Sequence, residues 1–135
     1  MMFAIKLCVA AGLALLSFAA SRADDEIPKK RAFVIALQQA IRANDKSWLA
    51  EHTRYPLRYY GHRKIAVRNS AAFLKNYPTI IGPKLRIFVL AQDPENVFEN
   101  WQGMMVGDGS YNIWVRNEGE DLNERYLIIT INDDE

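Results

Sequence analysis

The stretch WQGMMVGDGSYNIWVRN, residues 101–117, decides the fold. It reads as two strands: WQGMMVG, then SYNIWVRN, joined at Asp108-Gly109, a dipeptide suited to a tight hairpin turn. In the second strand Tyr111, Ile113 and Val115 share one face, and Asn112, Trp114 and Arg116 share the other. A tryptophan flanked by Asn and Arg on one face of a strand reads as a partly exposed contact surface. Downstream, the polar connection Asn117–Asn123 leads into a third strand, ERYLIITIN (124–132), so the chain closes as an antiparallel meander.

Upstream of the meander the periodicity changes. Phe33, Leu37 and Ile41 recur every four residues, with Val34 and Ala40 widening the stripe, so a helix starts near Pro28. Asn44-Asp45 interrupts it and can cap a short second helix whose Trp48 and Leu49 face inward. Then YPLRYYGHRKIAVRN predicts two short strands, Tyr55–Tyr60 and Lys64–Val67, turned around Gly61-His62-Arg63. A helix capped by Ser70 follows, with Phe73, Leu74, Tyr77 and Ile81 on one stripe until Gly82-Pro83 stops it. KLRIFVLAQ (84–92) carries large apolar groups in both alternating sets and is expected as a strand covered on both faces; DPENVFEN (93–100) is expected as a loop or one helical turn. Helices first, a small hairpin, a helix, then a long meander predicts an α+β fold: N-terminal helices packed on a curved, mostly antiparallel sheet.

Compartment is expected from the first residues. LCVAAGLALLSFAA (7–20) is an uncharged apolar run after a weakly basic start, and Ser21-Arg22-Ala23 places small residues before Asp24. That layout predicts a signal peptide over 1–23, cleaved between Ala23 and Asp24, and one periplasmic or secreted domain over 24–135 with no membrane anchor after cleavage. Cleavage would leave 112 of the 135 residues and remove Lys6, Arg22 and the sole cysteine, Cys8. The mature chain then carries 15 basic against 16 acidic residues, formal charge −1, and no disulfide or thiol chemistry. A near-neutral domain lacks the bulk basicity that nucleic acid attracts, so no nucleic-acid partner is expected.

Motifs for cofactor, metal and covalent chemistry are not apparent. Two histidines ten residues apart, with no mature cysteine, do not make a zinc set, so no metal site and no cofactor are predicted. GDGS (107–110) lacks the lysine and the strand-to-helix setting of a phosphate loop and serves as a turn. Glu51, His52, His62, Asp93 and Asp108 all fall at helix ends, turns or loops, and no acid–base pair is placed on neighbouring inward positions. No catalytic residue is assigned.

RANDKSWLAEH, YPLRYY, IAVRNSAAFLKNY, WQGMMVGDGSYNIWV and YLIITIN, in this order over residues 28–132, resemble the nuclear transport factor two-like (SnoaL-like) cone fold. Exported bacterial members of this kind look similar in pairing a YPL after the second helix with a GMMVGDG hairpin and a closing ITIN strand. The resemblance implies a conical space between sheet and helices, and association through the sheet as a homodimer, consistent with the two-sided apolar content of 84–91. It does not choose among isomerases, dehydratases, carriers and binding modules. On that frame Trp48, Tyr55, Tyr59, Trp101 and Trp114 would line the mouth or wall of the cone, as ligand contacts or protein anchors; the alternative for each residue taken alone is packing in the core. Arg58, Arg63 and Lys64 on the basic hairpin, with Arg54 and Arg68 nearby and Arg116 beside Trp114, would face an acidic protein or anionic envelope partner. The function expected is a small exported, non-catalytic binding or inhibitory module, in one concrete form an immunity-type protein. The alternative is a cofactor-free isomerase or dehydratase, or a hydrophobic-ligand carrier, using the cone.

Overall fold

In the computed structural model, which describes residues 27–134, a five-stranded sheet carries five helices on one face, the α+β arrangement expected from the sequence. The expected signal peptide, its cleavage site and Cys8 lie outside the described residues. Among the described residues no helix is long and apolar enough to cross a membrane.

Helix α1 spans Lys29–Ala43 and buries Val34, Leu37, Gln38, Ala40 and Ile41. It ends at Asn44, which takes the left-handed conformation (φ 53°) that asparagine tolerates and leads straight into the next cap. Asp45 caps α2 (Lys46–Glu51) by accepting a hydrogen bond from the Trp48 backbone N–H. Strand β1, Thr53–Tyr60, follows.

The next helical stretch divides in two. Asn69, one residue before the expected Ser70, caps α3 (Ser70–Lys75) by accepting from Ala72 N. Pro78, lacking an N–H, cannot continue that helix but suits the first turn of α4 (Tyr77–Ile80).

Residues 84–92 are the principal correction. They form helix α5, Pro83–Ala91, and no strand. Gly82-Pro83, read as a stop, is a start: Gly82 is the N-cap and Pro83 the first helical residue. The apolar groups fall in both alternating sets because α5 is covered by α1 on one side and by the sheet on the other, and a short apolar run does not distinguish these cases by period alone. Leu85 and Val89, four apart, are fully buried, while Ile87 between them is exposed. Association through a two-sided strand at 84–91 therefore loses its basis.

The remaining strands are β2 (Phe98–Asn100), β3 (Gly103–Gly107), β4 (Tyr111–Asn117) and β5 (Tyr126–Asp133). The sheet order is β1-β5-β4-β3-β2. The meander is antiparallel, as expected, and β1 joins the far edge parallel to β5. The hairpin expected at 55–67 is not a ladder: only Leu57 and Val67 pair, with Leu57 N donating to Val67 O at 2.9 Å. Nor does the strand expected at WQGMMVG begin at Trp101: β3 starts at Gly103. Phe98–Asn100 pairs with β3, and Trp101-Gln102 form the two-residue tip between Asn100 and Gly103. Gly103, at φ +131°, sits against the Val115 carbonyl where a Cβ would collide.

Between helices and sheet the space is filled. Leu37 and Ile41 of α1, Leu49 of α2, Phe73, Ile80, and Leu85 and Val89 of α5 meet Val106, Ile113, Val115, Ile128 and Ile131 of the sheet, all fully buried. One polar clamp crosses this layer. The Gln38 amide donates to Val89 O (3.0 Å), which also accepts from Gln92 N at 3.3 Å, and to Gln92 O (2.7 Å), so it caps the end of α5. Gln92 Oε1 in turn accepts from Gly107 N at 3.1 Å, tying α5 to β3.

Candidate functional site

Among the described residues no helix lies over the other face of the sheet, and its register aligns one residue from every strand. Phe98 pairs with Met105, Met105 with Trp114, Trp114 with Thr130, and Thr130 with Arg58. The row runs from edge to edge: aromatic and thioether at one end, a guanidinium at the other. It faces away from the core because its in-strand neighbours Met104, Val106, Ile113, Val115 and Ile131 point inward and are buried. Phe98 meets Trp114 edge-on, ring centroids 6.3 Å apart at 90°.

A groove of about 520 Å³ lies over this face, bordered by Arg58, Tyr60, Trp101, Trp114, Arg116 and Asn132 among others. Trp101, at the hairpin tip, is 87% exposed and Tyr60 61% exposed. A β-bulge shapes the floor: Trp114 pairs with Thr130 but Val115 with Ile128, so Ile129 is the extra residue and borders the groove instead of joining the core. A smaller groove of about 150 Å³ shares Arg58, Arg116 and Ile129 and adds Arg54.

The guanidiniums here are not equivalent. One oxygen of Glu118 accepts from Arg116 Nε at 2.9 Å, lies 2.8 Å from its NH2, and accepts from Arg54 NH1 at 3.2 Å. Arg116 is thus held in place over the sheet. Arg58 is exposed and has no carboxylate partner among the described residues.

Of the sequence-predicted contact residues, Arg58, Trp101, Trp114 and Arg116 come together here. Trp114 is half-buried and shares the open face with Arg116, as expected; Asn112, on the same face, is buried through hydrogen bonds with Asn132 and the Asp108 carbonyl. The others do not join them. Trp48 stacks on His52 (4.0 Å, 17°) and tilts against Phe33 in the helical layer. Tyr55 donates to Ala50 O at 2.7 Å and Tyr59 to Thr79 O at 3.0 Å, so both rings are packed against the core. Burial raises the pKa of both, and for Tyr59 the nearby Asp133 carboxylate adds to it. Arg63 and Lys64 are exposed in the bend after β1 and do not border the groove.

Phe98, Met105, Tyr60, Ile129, Thr130 and Asn132 were not singled out from sequence. Phe98 was legible in principle, because FEN-WQ-GMM reads as strand, two-residue tip, strand. Ile129 was not, since its outward turn depends on the bulge.

An acid–tyrosine pair lies at a rim. Tyr126 O–H donates to Glu124 at 2.8 Å beside a groove of about 340 Å³ bordered also by Lys29, Glu51 and His52. Burial, then the Glu124 carboxylate, pushes the Tyr126 pKa up to about 12. A phenol so held is a poor proton donor at neutral pH. Among the described residues no group of three or more His, Cys, Asp or Glu is placed to hold a metal ion. Compared with known protein families, curated proteins and solved structures, the chain matches none.

Proposed function

We propose that the protein is a small exported binding module without catalysis of its own, inhibitory or immunity-type in its most concrete form, on a nuclear transport factor two-like frame. It engages another protein with the helix-free face of its sheet. The observation that carries this reading is the row Phe98–Met105–Trp114–Thr130–Arg58, completed by the exposed Trp101. An apolar, aromatic centre with a charged rim is the anatomy of a protein interface, and Trp, Tyr and Arg are its usual anchors. The filled space between helices and sheet supports binding over chemistry or ligand carriage in the cone, since the inward positions are aliphatic and packed.

The test is affinity capture from envelope extract with the chain beginning at Asp24, beside its Trp101→Ala/Trp114→Ala variant. Recovery of one stoichiometric protein by the first and not the second is expected. Recovery unchanged by the double substitution, or no recovery at all, would overturn the reading.

A further inference from the structure

The charge over this face is lopsided. Arg54, Arg58 and Arg116 border the two adjoining grooves, and Glu118 is the carboxylate among them. Three guanidiniums against one carboxylate leave two positive charges uncompensated, on a chain whose overall formal charge is only +1. The surplus is positioned: Glu118 fixes Arg116 through two N–H groups, and Arg58 is exposed on the edge strand with no carboxylate partner among the described residues. Trp114 and Ile129 border the same groove as an apolar floor. A guanidinium presents its N–H groups in a planar fork that matches a carboxylate.

We infer that the face takes an acidic segment of a protein partner, with a carboxylate entering between Arg58 and Arg116 and its apolar neighbours resting on Trp114 and Trp101. This rests on the binding reading above and names the partner's chemistry. A second copy of the chain does not fit, because two-fold pairing would set one net-positive patch against another. A sugar platform fits less well than a protein segment. Trp114 is half-buried with Phe98 against it, and the row it belongs to carries Phe and Met, which complement aliphatic side chains.

The experiment titrates the chain beginning at Asp24 with a capped peptide, Glu-Leu-Glu-Leu-Glu, with its Gln-for-Glu counterpart, and with trigalacturonate, by calorimetry at low salt. Saturable binding of the glutamate peptide alone is expected, about tenfold weaker in Arg58→Gln and partly restored in Arg58→Lys. Arg58 is exposed, so neither variant threatens the fold. Equal binding of the two peptides, binding of trigalacturonate alone, or no binding would overturn the inference. The binding reading fails separately: a captured protein lost in the Trp101→Ala/Trp114→Ala variant but retained by Arg58→Gln/Arg116→Gln would leave it standing and remove only the acidic partner.

Discussion

Phe98 and Trp114 meet edge to face across β3, on the side of the sheet that no helix covers among the described residues. Two large rings packed on each other outside the core add little to a fold whose interior is already filled. Trp114→Ala is expected to cost about 1–2 kcal/mol and Phe98→Ala less than about 1 kcal/mol, read from urea midpoints at unchanged m-value. Both variants stay folded, so the effect of either on partner binding can be measured separately from stability.

The buried amide of Gln38 makes a contrasting case. It serves two carbonyls at the end of α5; a leucine there would remove both bonds and leave Val89 O only the 3.3 Å bond from Gln92 N. Gln38→Leu should cost about 1–3 kcal/mol, lowering Tm by about 4–8 °C for each kcal/mol. A variant as stable as the parent would show that those carbonyls find other partners.

Gly82 and Asp133 lie in contact at the start of α5. A Cβ at 82 would come 2.5 Å from a carboxylate oxygen of Asp133, which is itself buried. Gly82→Ala should therefore destabilise by about 1–3 kcal/mol through displacement of that side chain, and alanine is also a poorer N-cap residue than glycine. Equilibrium urea unfolding checks the sign.

Tyr126 should titrate last among ordinary tyrosines, near the value of about 12 to which burial and then the Glu124 carboxylate raise it. Because the folded pKa lies above the unfolded value of about 10, this contribution to stability is complete below pH 10 and lost as pH rises through 12. Phenolate absorbance followed against pH, with Glu124→Gln as comparison, should show one tyrosine moving back toward 10. No difference between the two chains would mean that Glu124 has little hold on it.

Much of the architecture was legible from sequence because it is local. Four-residue spacing gave α1, Asp45 its cap, and Asp108-Gly109 the central hairpin. What was not legible depends on neighbours distant in sequence. KLRIFVLAQ carries apolar groups in both alternating sets because α1 covers one side of it and the sheet another, and period alone could not say whether those neighbours flank a strand or a helix. The partner of β1 is β5, more than seventy residues on, and the alternation of β1 would suit an antiparallel neighbour equally well. Within the candidate site, Trp114 and Arg116 could be placed because alternation along one strand assigns faces. Tyr55 and Tyr59 could not, since whether a tyrosine reaches solvent or a backbone carbonyl is decided by Ala50 and Thr79.

The most direct test of the central claim compares two faces of one molecule in the cell that makes it. A photo-crosslinking residue replaces Gln102 or Thr130 in the groove, or Ile87 on the exposed side of α5. Discrete adducts of one mass from positions 102 and 130, with none from 87, are predicted. Adducts from 87 alone, or equal yields from all three positions, would contradict the assignment of function to the helix-free face.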